Sequence, residues 1–354
     1  MRRFLVTGAS GFIGQALCAR LMAAGTALRA TTSRAVHAPV LNAILSRLQE
    51  RAPAWGSAQG VVVPAPAARV ADWSDACRGI EAVIHLGARV HMDHEVVAND
   101  QRLHLEANRD VTLALARAAA AAGVRRLVFV STIRVNGNMT RGRPFGESDT
   151  PRPDNPYAVA KYEAECGLWR VAGETGLEIV VMRPPLVYGP RVKGNMLSLL
   201  ALVARGWPLP LARIDNRRSL VGLGNLVDAL MACATHPRAA GQTFIVSDGQ
   251  DISTPGLIRC LAAGMGRPAR LFPFPYAVLN TMARMIGQAN RLDKLCRDLR
   301  VDARHIRATL GWRPPFSLHQ GLRDTGRWYR QSHLGPRRGR RWPRPGPPAR
   351  DPSP

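Results

Sequence analysis

The chain has 354 residues, of which 46% are apolar and 6% aromatic. This apolar fraction can build a sizeable core and excludes a wholly disordered or collagen-like chain. At about 150 residues per domain, the length predicts two structural units. Lys and Arg outnumber Asp and Glu by 49 to 25, which gives a formal net charge of +24. Such a positive field attracts nucleotides, nucleic acid or anionic membrane surfaces, so it selects no single function.

The cysteines lie far apart along the chain and form no Cys-x-x-Cys pair. This spacing predicts neither a zinc site nor a disulfide framework, and free thiols fit a reducing compartment. The first residues lack the apolar run of a secretory signal, and no segment reaches the roughly 18 apolar residues of a membrane span. We therefore expect a cytoplasmic protein without a membrane span.

Short apolar runs alternate with helical patterns through the first half of the chain. Strands are predicted at 4–6, 28–32, 61–63, 82–86, 126–131 and 177–182, and helices from Gly14 to Gly25, at 112–122 and at 157–172. Continuous apolar strands indicate a sheet that is covered on both faces. The alternation predicts an α/β fold with a doubly wound parallel sheet of the Rossmann type.

A glycine-rich loop separates the first predicted strand from the first predicted helix. It contains Gly8, Gly11 and Gly14. Glycines at this spacing let the chain turn sharply, approach a diphosphate closely and direct the amides of a helix N-terminus at it. The position of the loop favours dinucleotide binding over an ordinary tight turn. We expect NAD or NADP here, with further contacts from Ser10, Phe12 and Ile13.

Two further positions bear on the nucleotide. Arg34 follows the second predicted strand, where a carboxylate commonly binds the adenosine ribose. Its guanidinium can pair with the 2′-phosphate of NADP, stack on adenine or face solvent, so the choice between NAD and NADP stays open. Asp72, which precedes Trp73, can accept a hydrogen bond from the adenine amino group or act as a helix N-cap.

Tyr157 and Lys161 are four residues apart in a predicted helix and therefore share a face. A nearby ammonium favours the phenolate, which lowers the pKa of the phenol toward the range of a proton carrier. Thr132, after the strand predicted at 126–131, can hydrogen-bond a substrate oxygen. With the glycine loop, these three residues predict an NAD(P)-dependent oxidoreductase.

Over about residues 3–325 the chain resembles the extended short-chain dehydrogenase/reductases, and among them the NAD-dependent epimerase/dehydratase family that acts on nucleotide sugars. Five segments are most similar to its bacterial UDP-N-acetylquinovosamine 4-dehydrogenase/4-ketoreductase branch: His85–His91, Ser131–Gly137, Arg183–Pro190, Asn216–Val221 and Val246–Gly249. The resemblance implies a Rossmann domain with a smaller C-terminal substrate-binding domain. We place these at 1–183 and 184–330, with about 216–250 returning to the sheet. Residues 331–354, rich in Arg and Pro, are predicted to be a disordered tail.

The resemblance also implies roles for individual residues. Tyr157 is the acid/base, Lys161 its electrostatic partner and Thr132 the hydroxyl that orients O4 of the sugar. The further cofactor contacts are Asp72, Trp73, Leu86, Gly87, Ala88, Asn108, Pro184 and Val187. The substrate contacts are Arg89, Asn136, Asn195 and Arg218. Arg218 suits a UDP diphosphate as a bidentate donor, with a surface charge as the alternative.

The sequence also departs from the family pattern. Ile133 and Arg134 stand where the 4,6-dehydratases carry Asp-Glu, and neither side chain relays a proton there, which disfavours dehydration. Gly87 replaces a usual alanine, with little consequence. Residues 35–60 form a longer connection than usual, with the pattern of an extra amphipathic helix. The segment His91–Glu95 is interpreted as a solvated loop, because the chemistry needs no metal.

The expected reaction is reduction of the C4 keto group of a UDP-4-keto-6-deoxy-N-acetylhexosamine. A UDP-hexose 4-epimerase that retains NAD is the alternative, and a non-catalytic nucleic-acid-binding or scaffold protein is the alternative from another class. The resemblance implies a product used in polysaccharide assembly and a homodimer formed through helices within 103–122 and 157–172. No specific nucleic-acid partner is expected.

Overall fold

The computed structural model describes residues 3–32, 58–62, 73–90, 97–285 and 289–334, together with residues 42, 45, 46 and 287. Several predictions from the sequence lie outside these residues: Arg34, Asp72, His91–Glu95, most of 35–60 and the tail from 335 onward.

A seven-stranded parallel sheet with the order β3-β2-β1-β4-β5-β6-β9 forms the centre of the molecule. The strands of the protein are β1 (Arg3–Thr7), β2 (Ala27–Thr32), β3 (Ala58–Val62), β4 (Ala82–His85), β5 (Arg126–Val130), β6 (Glu178–Arg183), β7 (Leu186–Tyr188), β8 (Arg218–Gly222), β9 (Gln242–Ile245) and β10 (Asp251–Ile252). The order is that of a doubly wound sheet. The predicted Rossmann-type α/β fold is confirmed.

Helices alternate with these strands and then dominate the C-terminal part. They are α1 (Phe12–Ala23), α2 (Ser74–Cys77), α3 (Val97–Leu105), α4 (Val111–Ala121), α5 (Pro156–Thr175), α6 (Gly194–Arg205), α7 (Leu223–Thr235), α8 (Thr254–Gly264), α9 (Tyr276–Met285), α10 (Ala289–Cys296), α11 (Arg304–Leu310) and α12 (Leu318–Tyr329). A π-helical turn at 106–110 joins α3 to α4. In the described part of the chain, no helix is long and apolar enough to cross a bilayer.

The two faces of the sheet are buried against different helices. Alternate residues of β1 point to opposite faces, so that Phe4 and Val6 pack with α1 and α7 whereas Leu5 packs with α2, α4 and α5. This double burial explains why the strands are continuous apolar runs in the sequence. All six cysteines are unpaired thiols, and burial raises the pKa of the Cys18 and Cys233 thiols to about 12.

The C-terminal part contributes to the large sheet and also builds a smaller unit. Strand β9 pairs with β6 at the edge of the parallel sheet. Strands β7, β8 and β10 form a separate three-stranded sheet, which shares a third core with α6, α8 and α12. The C-terminal part is thus tied to the Rossmann sheet by the hydrogen bonds between β9 and β6.

The disordered tail was predicted to begin at residue 331, but residues 331–334 are ordered in the structure. Residues 330–334 continue α12 as a π-helical turn. The imidazole of His333 stacks on the Tyr329 ring with centroids 4.4 Å apart and meets the Trp328 ring edge-on at 5.3 Å. These aromatic contacts hold the exposed turn against the end of α12.

Helices α8 and α12 approach each other through glycine. A Cβ atom added at Gly326 would lie 2.3 Å from the carbonyl oxygen of Leu261 and 3.1 Å from Cα of Gly264. We expect Gly326→Ala to lower the free energy of unfolding by about 1 to 3 kcal/mol, because the helices must move apart. Urea denaturation measures this loss.

Gly173→Ala in α5 is the matched control. A Cβ there meets nothing within 4 Å, so the substitution should raise stability by up to about 1 kcal/mol through helix propensity alone. Equal stability of Gly326→Ala and the natural chain would contradict the close approach of α8 and α12.

Candidate active site

The glycine loop between β1 and α1 has a backbone that requires glycine at two places. Gly8 has φ +66° and accepts a hydrogen bond at its carbonyl from the Gly11 amide, 2.9 Å. A Cβ at Gly14 would lie 2.3 Å from the Gly8 oxygen, and one at Gly8 would lie 2.9 Å from the Gly87 nitrogen. The loop is therefore packed tightly against both α1 and the segment after β4.

The N-terminus of α1 fits the diphosphate of a dinucleotide. No side chain caps this helix and its first turn holds no acidic residue, so its first amides are available to an anion. Ser10 hydrogen-bonds Thr32 at the end of β2 through the two hydroxyl oxygens, 3.1 Å apart. Phe12 and Ile13 turn their side chains toward the protein cores. Any contact of these two residues with a diphosphate is through their backbone amides.

The segment after β4 is held at both ends. The Gly87 amide donates to Thr7 Oγ1, 3.2 Å, and the Leu86 amide donates to the Thr7 carbonyl, 3.3 Å. Buried Asn108 accepts from the Arg89 amide, 2.7 Å, and its Nδ2 donates to the Arg89 carbonyl, 3.0 Å. The backbone from Leu86 to Arg89, including exposed Ala88, therefore lies in a fixed position beside the glycine loop.

Buried His85 joins these two anchors. Thr112 Oγ1 gives its one proton to the Asn108 carbonyl, 2.7 Å, and must therefore accept from His85 Nε2, 2.9 Å away. His85 Nδ1 is then the acceptor for the Thr7 hydroxyl at 2.6 Å. Burial, with a smaller contribution from Lys161, lowers the pKa of His85 to about 3, so the ring is neutral in this tautomer.

The predicted catalytic residues meet at the end of β5. Thr132 follows this strand, and its Oγ1 accepts from the Arg134 amide, 3.3 Å. Lys161 Nζ donates to the Val130 carbonyl, 2.8 Å. Tyr157 lies one turn before Lys161 on α5, which packs against the 133–135 turn. The structure therefore brings the alcohol, the ammonium and the phenol to one edge of the sheet.

The electrostatics differ from the expectation that Lys161 lowers the pKa of Tyr157. Burial raises the pKa of the phenol to about 12, and the charge that opposes this shift belongs to Arg134. Lys161 is itself buried, which lowers its pKa to about 7, while the Glu165 carboxylate acts in the opposite direction. Desolvation outweighs pairing because the ammonium is directed at a backbone carbonyl rather than at the phenol.

A buried ion pair behind Lys161 was not found from the sequence. The Arg183 guanidinium donates to both carboxylate oxygens of Glu165, with Nε to Oε1 3.1 Å and Nε to Oε2 3.2 Å, and Ser131 also donates to this carboxylate. Asn136 belongs to the same network. Its Oδ1 accepts from Arg183 Nη1, 3.1 Å, and its Nδ2 donates to the Gly146 carbonyl, 2.8 Å. The Asn136 amide that we predicted to bind substrate is thus engaged within the protein.

The predicted substrate contacts in the C-terminal part lie on different elements. Arg218 begins β8, and its Nη1 donates to the carbonyls of Lys294, 2.7 Å, and Arg297, 3.1 Å. Burial and nearby Arg134 lower the pKa of Arg218. Asn195 is exposed in the first turn of α6. Because the charge of Arg134 acts on Arg218, an anion bound near both guanidinium groups would be favoured.

Of the other predicted cofactor contacts, one lies near the end of β5 and one has its side chain in the core. The buried Pro184 carbonyl accepts from the Ile133 amide, 3.0 Å, so Pro184 is close to Thr132. Half-buried Val187 lies in β7 and packs against the core that contains α1 and α7. Trp73 instead packs in the core with α4 and α5, because it starts α2 on the buried side of the sheet. Within the described ranges, no three His, Cys, Asp or Glu side chains are arranged to hold a metal ion.

Comparison with known proteins identifies the family. A sequence profile of the NAD dependent epimerase/dehydratase family matches residues 4–247. The chain belongs to this family. The match spans the glycine loop, the end of β5 and α5, so the predicted class of enzyme and the dependence on NAD are both confirmed.

Individual relatives of the chain include enzymes of two kinds. The UDP-glucose 4-epimerase of Vibrio cholerae is 40% identical over 253 residues, which cover 71% of this chain and 77% of that protein. The dTDP-glucose 4,6-dehydratase of Streptomyces griseus is 28% identical over 335 residues, covering 92% and 93%. A crystal structure of UDP-glucuronic acid 4-epimerase from Bacillus cereus with NAD has a TM-score of 0.73 at 20% identity, covering 94% of this chain and 98% of that one. That structural likeness shows the common epimerase/dehydratase fold.

The neutral state of His85 makes the stability of the protein depend on pH. An unfolded histidine titrates near pH 6.5, whereas His85 in the folded protein titrates at about 3. Between these values only the unfolded chain binds the proton, so stability falls as the pH drops. We expect the free energy of unfolding to fall by about 1 kcal/mol from about pH 6 to about pH 5 because of His85. His85→Gln should remove this contribution to the pH dependence of stability.

Urea unfolding at the two pH values measures the effect. His319→Gln is the control, because His319 is exposed on α12, and it should keep the pH dependence of the natural chain. An unaltered dependence in His85→Gln would rule out a buried neutral imidazole.

Proposed function

We propose that the chain transfers a hydride at C4 of a UDP-linked hexose. The observation that carries this proposal is the convergence of Thr132, Tyr157 and Lys161 at the carboxyl end of β5, beside the glycine loop. NAD, when bound, supplies the group that accepts and returns the hydride. The chain itself must position the sugar and move one proton.

Each residue has a task that follows from its surroundings. The Thr132 hydroxyl accepts only a long bond from Arg134, so it remains available to hydrogen-bond O4 of the sugar. Tyr157 exchanges a proton with O4, and the positive charge of Arg134 favours its phenolate form. Lys161 lies over the Phe129 ring at the end of β5, and we propose that it donates to the nicotinamide ribose. The buried pair of Glu165 and Arg183 fixes the wall behind Lys161.

Epimerisation of a UDP-hexose at C4 is the form that we propose first. It is favoured by 40% identity with a UDP-glucose 4-epimerase over 77% of that protein's length. An epimerase keeps the cofactor in place while the keto sugar turns over and returns the hydride to the opposite face of C4. The tight contacts of Gly8 and Gly14 are compatible with such retention.

Reduction of a UDP-4-keto-6-deoxy-N-acetylhexosamine is the second candidate. The segments Ser131–Gly137 and Asn216–Val221 favour it through their resemblance to the ketoreductase branch. Dehydration is disfavoured, because Ile133 is buried in an apolar cluster and Arg134 carries a positive charge where a proton relay needs acids.

The partners follow from the same proposal. We propose Arg218, Arg134 and Asn195 as the contacts of the UDP diphosphate; the charge of Arg134 acts on Arg218, and arginine forks suit phosphate oxygens. We also propose a homodimer in which α4 and α5 form the interface. These two helices pack on each other at the surface away from the small sheet.

A spectrophotometric assay of the purified protein separates the two reactions. An epimerase interconverts UDP-glucose and UDP-galactose without net change in NADH absorbance. A reductase consumes NAD(P)H stoichiometrically with the 4-keto sugar and leaves the two hexoses unchanged. Tyr157→Phe should lower kcat by about 10²- to 10⁴-fold in either case, because the proton carrier is lost.

Binding of UDP by Tyr157→Phe, followed by calorimetry, is the control that the variant is folded. Full turnover by this variant would contradict the proposed acid/base, whichever reaction is found.

Arg134 gives a second test, on pH dependence. Arg134 lowers the pKa of Tyr157, so its replacement by Met should raise that pKa. Sugar oxidation needs the deprotonated phenol as base, so the ascending, acid-side limb of kcat/KM should move to higher pH by about half a pH unit or more. Arg134→Lys keeps the charge and should retain the natural profile. A raised KM in Arg134→Met with an unshifted pH profile would assign Arg134 to diphosphate binding alone.

A further inference from the structure

The small domain has an apolar surface directed to solvent. We call it the α9 surface, and its residues are Trp207, Phe272, Tyr276, Val278, Met282 and Met285. Met285 is 78% exposed, Trp207 61% and Met282 52%. On α9, the positions 278, 282 and 285 are four and three residues apart and therefore form one stripe, whereas Ala283 is buried. A contiguous apolar surface of this kind marks an interaction site.

The Trp207 loop and the segment leading into α9 are hydrogen-bonded to each other. The Leu209 amide donates to the Arg270 carbonyl, 2.8 Å, and the Phe272 amide donates to the Leu209 carbonyl, 3.0 Å. Leu209 and Leu271 also form a β-bridge. The aromatic residues at 207 and 272 thus belong to one surface with α9 rather than to separate loops.

The charged residues from 252 to 292 are all positive, and Asp293, just beyond them, accepts a hydrogen bond from the Tyr276 hydroxyl, 3.2 Å. Residues 252–292 contain no Asp or Glu, and their charged residues are Arg259, Arg267, Arg270, Arg284 and Arg291. The Arg205 guanidinium lies 5.3 Å from the centroid of the Trp207 ring. Arg267, Arg270 and Arg284 are exposed. Aromatic and apolar side chains rimmed by arginine are the composition of helices that lie in the interface of an anionic bilayer.

We propose that the α9 surface docks the protein on the surface of an anionic lipid bilayer. The arginines would pair with lipid phosphates while the stripe of Val278, Met282 and Met285 enters the headgroup region. A second copy of the chain fits less well, because a symmetric contact would oppose two rims of arginine. Nucleic acid would use the arginines but would leave the methionines in water.

The docking surface is connected to the candidate substrate site. Helix α9 packs on α10, and the carbonyls of Lys294 and Arg297, at the end of α10 and just beyond it, hold the Arg218 guanidinium. Docking through α9 would therefore hold the diphosphate side of the site next to the bilayer, whereas Thr132 and Tyr157 remain on the Rossmann sheet. The inference concerns where the enzyme works and does not depend on which C4 reaction it performs.

Vesicle co-sedimentation of the full chain tests the proposal. The vesicles contain phosphatidylglycerol and phosphatidylcholine at about 1:3, in about 150 mM NaCl, with pure phosphatidylcholine as the uncharged comparison. We expect binding to the anionic vesicles. The triple variant Val278→Ser, Met282→Ser, Met285→Ser should lower the partition coefficient by about tenfold or more, because it removes the inserted groups without changing the net charge.

The matched control is Phe316→Ser, which removes another exposed aromatic group outside the α9 surface and should bind as the natural chain does. Circular dichroism and the melting temperature verify that both variants are folded. Three results would overturn the proposal: absence of binding to anionic vesicles, equal binding of the triple variant, and self-association in gel filtration that the triple variant abolishes. The second result would assign membrane attraction to basic residues elsewhere, and the third would assign the surface to a second copy.

Discussion

Parallel pairing of β1, β4, β5 and β6 is the constraint on which the candidate site depends. Parallel strands end at the same edge of a sheet, so the loops that follow them are neighbours although they are far apart in sequence. The register pairs Thr7 with His85 and His85 with Phe129, which aligns the ends of the first three strands. The glycine loop, the segment from Leu86 to Arg89 and Thr132 all start from this line. Without that alignment, these groups would have no common ligand.

Hydrogen bonds at this edge are arranged in a fixed direction. Thr112 donates to the Asn108 carbonyl, His85 donates to Thr112, and Thr7 donates to His85. The Gly87 amide in turn donates to Thr7, so one chain of hydrogen bonds connects Asn108 to Gly87. A neutral, singly protonated imidazole is the form that satisfies all four contacts. The position of the backbone beside the dinucleotide loop is thus set by a titratable group that does not itself reach the ligand.

The sequence was sufficient to predict the sheet, most helices and the residues at the end of β5. Buried strands and amphipathic helices leave periodic patterns, and Gly8, Gly11, Tyr157 and Lys161 have diagnostic spacing. The network of Glu165 with Arg183 has no such pattern, because its members come from α5 and β6 and meet only in the fold. The use of Asn136 within that network, and the direction of Lys161 toward Val130, could not be predicted for the same reason. The core position of the Trp73 side chain could not be predicted, because the buried side of α2 is decided by packing.

Two positive charges of the candidate site are buried, and their burial bears on which substrate the proposed reaction would take. Burial lowers the pKa of Lys161 to about 7 and also lowers the pKa of Arg218, with Arg134 adding to the second shift. Glu165, the carboxylate that acts on Lys161, is shared with Arg183, and Asp298 opposes the shift at Arg218 without cancelling it. An anionic ligand beside Arg218 and Arg134 would favour their charged forms further. A diphosphate carries two such charges at the spacing of arginine forks, whereas a neutral free sugar offers none. In the proposed reaction, Arg218 and Arg134 would thus favour a nucleotide-linked sugar over an unlinked one.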